Sequence, residues 1–345
     1  MFLKHLSLTN FRNYSSLSLE FNEKSTIFVG NNAVGKSNLL EAVYFLSTTK
    51  SGRVDEEGEL IKSGESITRV QGTGDSNLEI TLQNTRNQFS KRVKVNGVAR
   101  RVVDYIGNMP VVLFSPSDIN MVTGSPSLRR WHLDMALAQI DPQYKKALTL
   151  YEQVLVNRNR VLKRIREGQG RVDELGYWTD ELIKYARVVS DARIAFLESM
   201  NNFQSPLGKF VFEYKQSFLN KERLLQYNGR EVAAAVTLIG PHRDDFVVQL
   251  GDRNLDHFGS RGEQRTATLA FKLATLEYMA LSLGKRPILL LDDVFSELDR
   301  SHRAHVVEVV SRQQTLIATV ELENLSKNFL KNARILRVED GKIIF

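Results

Sequence analysis

The chain contains no cysteine, which excludes disulfides, thiolate metal centres and a cysteine nucleophile. Its six histidines show no metal-ligand spacing. No stretch approaches the roughly 20 consecutive apolar residues that span a bilayer. The N-terminal segment MFLKHLSLTNFRNYSSLSLEF alternates apolar and polar residues and lacks the unbroken apolar core of a signal peptide. These absences describe a cytoplasmic chain without a membrane partner. Low-complexity segments and internal repeats are also missing. What is present suits a packed core: 42% hydrophobic and 25% charged residues over 345 positions, more than one ordinary core holds. The 47 Lys and Arg against 40 Asp and Glu leave a charge of +7. That surplus either serves solubility or favours a polyanionic partner.

The pattern of elements is α/β, interrupted by a helical stretch. Leu3, Leu6 and Leu8, then Leu17, Leu19 and Phe21, recur near period two around a turn at Arg12–Tyr14. Ser25–Val29 is a short strand ended by Gly30, and Leu39, Leu40, Val43, Tyr44 and Leu46 follow at helical spacing. Residues 66–114 read as strands and turns, with Asn96-Gly97 a hairpin signal. From about Pro126 to Phe203 two apolar stripes, broken at Glu167–Gly170, predict an antiparallel helical hairpin too short for a long coiled-coil arm. The α/β pattern resumes after Thr237, with strands at Phe246–Leu250, Ile288–Leu291, Thr315–Thr319 and Ile335–Val338. The expected division is a discontinuous domain, 1–120 with 235–345, and a helical insertion at 121–234.

Gly30-Asn31-Asn32-Ala33-Val34-Gly35-Lys36-Ser37 is a complete G-x-x-x-x-G-K-S, following a strand and opening a helix on which Asn38 comes next. The glycines let backbone amides curl toward phosphate oxygens, and the helix N-terminus favours anions. Lys36 is expected to reach the β- and γ-phosphates of ATP, and the Ser37 hydroxyl to ligate Mg2+. In Ile288–Asp293 a wholly apolar strand delivers two carboxylates to a sheet edge. Asp292 is the expected second holder of Mg2+, and Asp293 is expected to orient or deprotonate water. Ser260-Arg261-Gly262-Glu263-Gln264 resembles the signature loop of ABC ATPases, and it also reads as an ordinary helix N-cap. Ser296-Glu297-Leu298-Asp299 matches the D-loop of the same ATPases. Thr319 stands where a switch histidine is usual.

The order of these four elements implies an ABC-type P-loop ATPase domain with a mostly helical insertion. Longer stretches narrow the resemblance: Asn10-Phe11-Arg12-Asn13-Tyr14, Pro116 through Asp134, Thr237 through Phe246 and Leu290 through Asp299 are all similar to the RecF family. Departures are Ser117 in place of an acidic residue, His132 in place of an aromatic, and Lys50–Val54, which follows the family pattern loosely. The resemblance implies an ATP-dependent homodimer in which Ser260 of one copy meets the ATP held by the other. It implies DNA as partner, duplex and single-strand/duplex junctions, with RecR and RecO, in gap repair, replication and SOS induction. It also implies slow, DNA-dependent hydrolysis. The competing readings are an SMC-like or overcoming-lysogeny-like ATPase driving a nuclease or mechanical partner, and a metabolic P-loop kinase.

Other residues leave two readings open. Arg129 and Arg130 either contact DNA or nucleotide or form ion pairs. His242 to Asp245 is a site or a structural turn. Arg158, Arg160, Lys163, Arg164 and Arg166 are a solvated face or a phosphate-contacting surface. Trp131 and Trp178 read as core rather than as stacking platforms.

Overall fold

The computed structural model describes residues 1–23, 25–85, 88–203, 207–298 and 300–344. They form two compact units, Met1–Asp118 with Lys272–Phe345, and Ile119–Phe271. Among the described residues no helix is long and apolar enough to cross a membrane.

In the first unit a six-stranded sheet runs Lys342–Ile344, Arg334–Glu339, Thr26–Val29, Thr315–Thr319, Ile288–Asp292, Val111–Phe114. Every neighbouring pair is parallel except the outer hairpin. Ile288–Asp292 and Thr315–Thr319 are buried at every position. This is why they read as continuous apolar runs: a parallel strand is covered on both faces. A second, antiparallel sheet orders Tyr14–Glu20, Leu3–Phe11, Ile67–Gly74, Leu78–Thr85, Gln88–Val95 and Val98–Arg100. Its last turn is Asn96-Gly97, with φ of 51° and 79°. Positive φ at both positions is what a two-residue hairpin demands.

The helix Lys36–Thr48 touches strands of both sheets. Eleven of its thirteen residues are buried, Lys36, Glu41, Ser47 and Thr48 among them. Its apolar spacing therefore marks not one buried stripe but a helix enclosed all round.

The second unit holds the helical hairpin, Pro142–Arg166 with Leu175–Asn201, and a helix at Lys221–Ala234 that periodicity did not reveal. Its boundaries differ from the sequence expectation: they fall at 118/119 and 271/272 rather than 120/121 and 234/235. Sheet pairing explains the second shift. Asp245–Leu250 joins not the parallel sheet but a separate one with Phe210–Lys215 and Arg253–Asn254. Phe246 stacks on Phe271 with ring centroids 5.6 Å apart. Ser260 thus groups with the helical segment.

Candidate nucleotide site

The buried strand Thr26–Val29 ends at Gly30, where a Cβ would approach the Val338 carbonyl oxygen to 2.3 Å. Gly35 has φ +114°, and a Cβ there would come within 2.6 Å of Asn13 Nδ2. Gly30 is therefore required by the Val338 backbone, and Gly35 by its own left-handed backbone, with the Asn13 and Tyr14 side chains crowding it further. Asn13 Nδ2 donates to the Val34 carbonyl at 3.1 Å, Tyr14 OH donates to the Gly35 carbonyl at 3.0 Å, and Asn38 Nδ2 donates to Asn13 Oδ1 at 2.9 Å. The turn after the first strand is thus the brace of the loop. The sequence pattern marks these residues as a turn and as a family stretch, but not as partners of the loop.

Lys36 Nζ donates to the carbonyls of Gly30 and Asn31 at 2.8 and 2.7 Å. Burial lowers its pKa, against the opposing pull of Asp293 and Asp292. Ser37 Oγ donates to Asp292 Oδ1 at 2.8 Å. Asp292 is nearly enclosed and burial raises its pKa, an effect that neighbouring Asp293 reinforces and the Ser37 bond, Arg53 and Lys36 oppose. Asp293 has φ 50°, and its Oδ1 is buried without a hydrogen-bond partner among the described residues. An enclosed carboxylate oxygen of that kind costs about 1–3 kcal/mol unless something completes it. Asn32, Ala33, Gly35, Lys36, Ser37, Asn38, Asp292 and Asp293, with Arg53, Pro116 and Val320, line a cavity of about 280 Å³. Two close carboxylates, a hydroxyl and a lysine suit a divalent cation with phosphates. Among the described residues no group of three or more His, Asp or Glu could hold a metal. Mg2+ does not require one, because it takes few carboxylates and keeps phosphate and water ligands.

The other motifs are placed as follows. Ser260 is exposed and caps the helix Arg261–Leu283. Its Oγ accepts from Glu263 N–H at 3.2 Å, and Glu263 Oε2 accepts from Ser260 N–H at 2.8 Å. The N-cap reading is therefore realised, as a reciprocal capping box. Ser296 Oγ donates to the Asp293 carbonyl at 2.8 Å, while Asp299 lies outside the described residues. Thr319 is buried and its hydroxyl donates to the Glu321 carbonyl at 3.0 Å; its neighbour Val320, not Thr319, lines the cavity.

Glu41, buried on the loop's own helix, was missed. It accepts from Arg12 at 2.8 and 3.0 Å, from Ser51 Oγ at 2.6 Å and from Arg53 at 3.3 Å. An acidic residue inside an otherwise apolar helix was the available signal. In the second unit ion pairing claims several open cases. Arg129 pairs with Asp245 at 2.6 Å, and Arg130 donates to the Asp244 carbonyl at 2.6 Å. Arg158, expected with the basic cluster on a surface, is 2% exposed and bonded to Glu231 at 2.7 Å. Asp244 is fully buried and accepts from Tyr214 OH, from Ser190 Oγ at 3.4 Å and from Ser217 N–H at 2.6 Å. His242 and Asp244 are parts of a structural turn. Trp131 and Trp178 are half-buried.

Residues 2–343 match the model of the RecF/RecN/SMC N terminal domain. The chain is 37% identical to a DNA replication and repair protein RecF of Herpetosiphon aurantiacus, covering 99% of each. It is 36% identical to that of Halalkalibacterium halodurans, again over 99% of each. The chain belongs to the RecF family. A solved structure described as the recombination mediator protein RecF-ATP in the RecFOR pathway superposes on this RecF-family chain with TM-score 0.89, at 31% identity, covering 99% of this chain and 97% of that one. An Smc head domain from Pyrococcus furiosus, at 17% identity and TM-score 0.54, shares the fold. The fold is accordingly that of an ABC-type ATPase of the SMC and RecF kind.

Proposed function

We propose that this RecF-family chain is an ATP-operated DNA clamp acting as a recombination mediator. The observation that carries the reading is the 2.8 Å bond between Ser37 and Asp292, which joins the loop that cradles phosphates to the strand end that supplies carboxylates. Lys36 would exchange its two carbonyl partners for β- and γ-phosphate oxygens of ATP. Ser37 and Asp292 would hold Mg2+, which when bound screens charge on those oxygens. Asp293, with one oxygen unsatisfied, orients or deprotonates the attacking water.

Ser260, exposed at a capped helix N-terminus, meets the ATP of a second copy, so that only the triphosphate joins two chains. The closed homodimer holds DNA by phosphate contacts, for which the +7 surplus is suited. Hydrolysis, slow and stimulated by DNA, releases it. The solved relative's description as a mediator in the RecFOR pathway supports RecO and RecR as partners; action at gapped DNA, in cytoplasmic repair and SOS induction, is part of the same proposal.

Sedimentation velocity with and without MgATP is the direct test. Wild-type protein is expected to shift from monomer to dimer with ATP, and unchanged monomer overturns the clamp. Binding to gapped, duplex and single-stranded DNA across a salt series then fixes the substrate.

A further inference from the structure

Three arginines of the second unit are buried against carboxylates: Arg129 on Asp245, Arg158 on Glu231 and Arg193 on Asp134. Arg223 and Arg230, on the helix Lys221–Ala234, are of another kind. Among the described residues neither meets a carboxylate. Arg223 donates to the Phe218 carbonyl at 2.7 Å, and Arg230 is exposed. With Tyr227 they occupy positions i, i+4 and i+7 of one helical face. Each guanidinium carbon lies 5.8 Å from the centre of the Tyr227 ring. That distance is near the outer limit of a cation–π contact of about 6 Å. The ring contacts are therefore weak; Arg230 keeps its N–H groups for another partner, and Arg223 keeps those not given to Phe218.

The segment that leads into this helix keeps a small positive surplus. Lys215 pairs with Glu213 and Lys221 with Asp180, which leaves Lys209, Arg223 and Arg230 against Glu222 between residues 207 and 230. The helix's remaining acid, Glu231, is fully buried on Arg158.

We infer that the Arg223–Tyr227–Arg230 face binds single-stranded DNA, with phosphates on the guanidiniums and an unstacked base against the aromatic and guanidinium planes. Single-stranded nucleic acid uses both chemistries at once: phosphates need the charge and bases need the π surface. Duplex bases have their faces covered by their neighbours, so the face selects the single-stranded side of a junction. An acidic protein segment would use the charge and leave Tyr227 without a role. This inference rests on the DNA-binding reading above and names the surface within it.

Fluorescence anisotropy tests it with oligo-dT of about 15 nucleotides, near one site length, an abasic strand of equal length and a blunt duplex. Wild-type protein is expected to bind oligo-dT roughly tenfold tighter than the abasic strand. Tyr227→Ala should erase that preference and Tyr227→Phe keep it. Arg230→Gln, at an exposed position, should lower the salt slope by about 0.7. ATP binding and melting temperature serve as controls that each variant is folded. Unchanged oligo-dT affinity and salt slope in folded Tyr227→Ala and Arg230→Gln overturn the inference, as does equal competition by poly-glutamate. Wild-type binding to duplex but not to oligo-dT overturns this surface alone, whereas binding to neither overturns the DNA reading with it.

Discussion

Ser37 and Asp292 stand 255 positions apart in sequence and are joined by a 2.8 Å hydrogen bond. The parallel sheet makes this contact possible. Thr315–Thr319 pairs on one side with the strand that leads to Gly30 and on the other with the strand that ends at Asp292, which sits opposite Ala318. Both chemical ends therefore emerge on one edge.

The first prediction concerns Asp292 itself. Burial raises its pKa, so the folded chain binds a proton more tightly than the unfolded chain. Its contribution to stability is therefore present at low pH and is lost as pH rises through the raised pKa, above which the ionised group opposes folding. Asp292→Asn should stabilise the nucleotide-free protein by about 0.5–2 kcal/mol, as replacement of a strained functional group commonly does. The same variant should lose the stabilisation that MgATP gives to wild type. Thermal unfolding with and without MgATP reads both effects.

Lys36→Ala and Asp293→Asn should separate binding from chemistry. Removing the lysine is expected to weaken ATP binding by about 100-fold and to abolish the ATP-induced dimer. Asp293→Asn is expected to slow hydrolysis by about 100-fold or more, the scale of a lost general base, and so to trap the dimer. Nucleotide binding assays and sedimentation distinguish the two.

Ser260 has a structural and a proposed intersubunit role, which one substitution can split. Ser260→Ala should cost about 1 kcal/mol through loss of the N-cap. Ser260→Asp retains a good capping group but brings a negative charge toward the partner's phosphates. Near wild-type melting together with absent ATP-dependent dimerisation is expected, and intact dimerisation would count against contact in trans.

The Arg158–Glu231 pair is almost wholly buried. Arg158→Ala should destabilise the protein by about 3–5 kcal/mol, because it leaves Glu231 charged and unpaired. The double variant Arg158→Met, Glu231→Leu should lose far less, since both desolvation costs disappear together. Denaturant unfolding of the two single variants and the double variant measures the coupling.

His242 is held between Tyr151 OH at 2.6 Å and the Thr237 carbonyl at 3.0 Å. Burial lowers its pKa to about 4. The unfolded chain takes up its proton near pH 6.5, before the folded chain does, so stability present above that pH is lost as pH falls toward 4. The loss should approach about 3 kcal/mol and be much smaller in His242→Gln. Denaturant midpoints measured between pH 7 and 4 check the slope.

The sequence alone determined the phosphate loop, the double aspartate, the short helical hairpin and the family. Each is a local pattern: glycine spacing, an apolar run ending in charge, or a stripe with helical period. Tertiary structure decided what such patterns cannot carry. It placed Asn13 and Tyr14 as the brace of the loop, made Glu41 a junction of two arginines and a serine, and took Arg158 from an apparent basic surface into the core. It also moved Asp245–Leu250 and Ser260 into the second unit. The physical reason is common to all: pairing of strands and carboxylates is set by partners distant in the chain, and an arginine's sequence neighbours do not reveal whether it faces water or a buried glutamate.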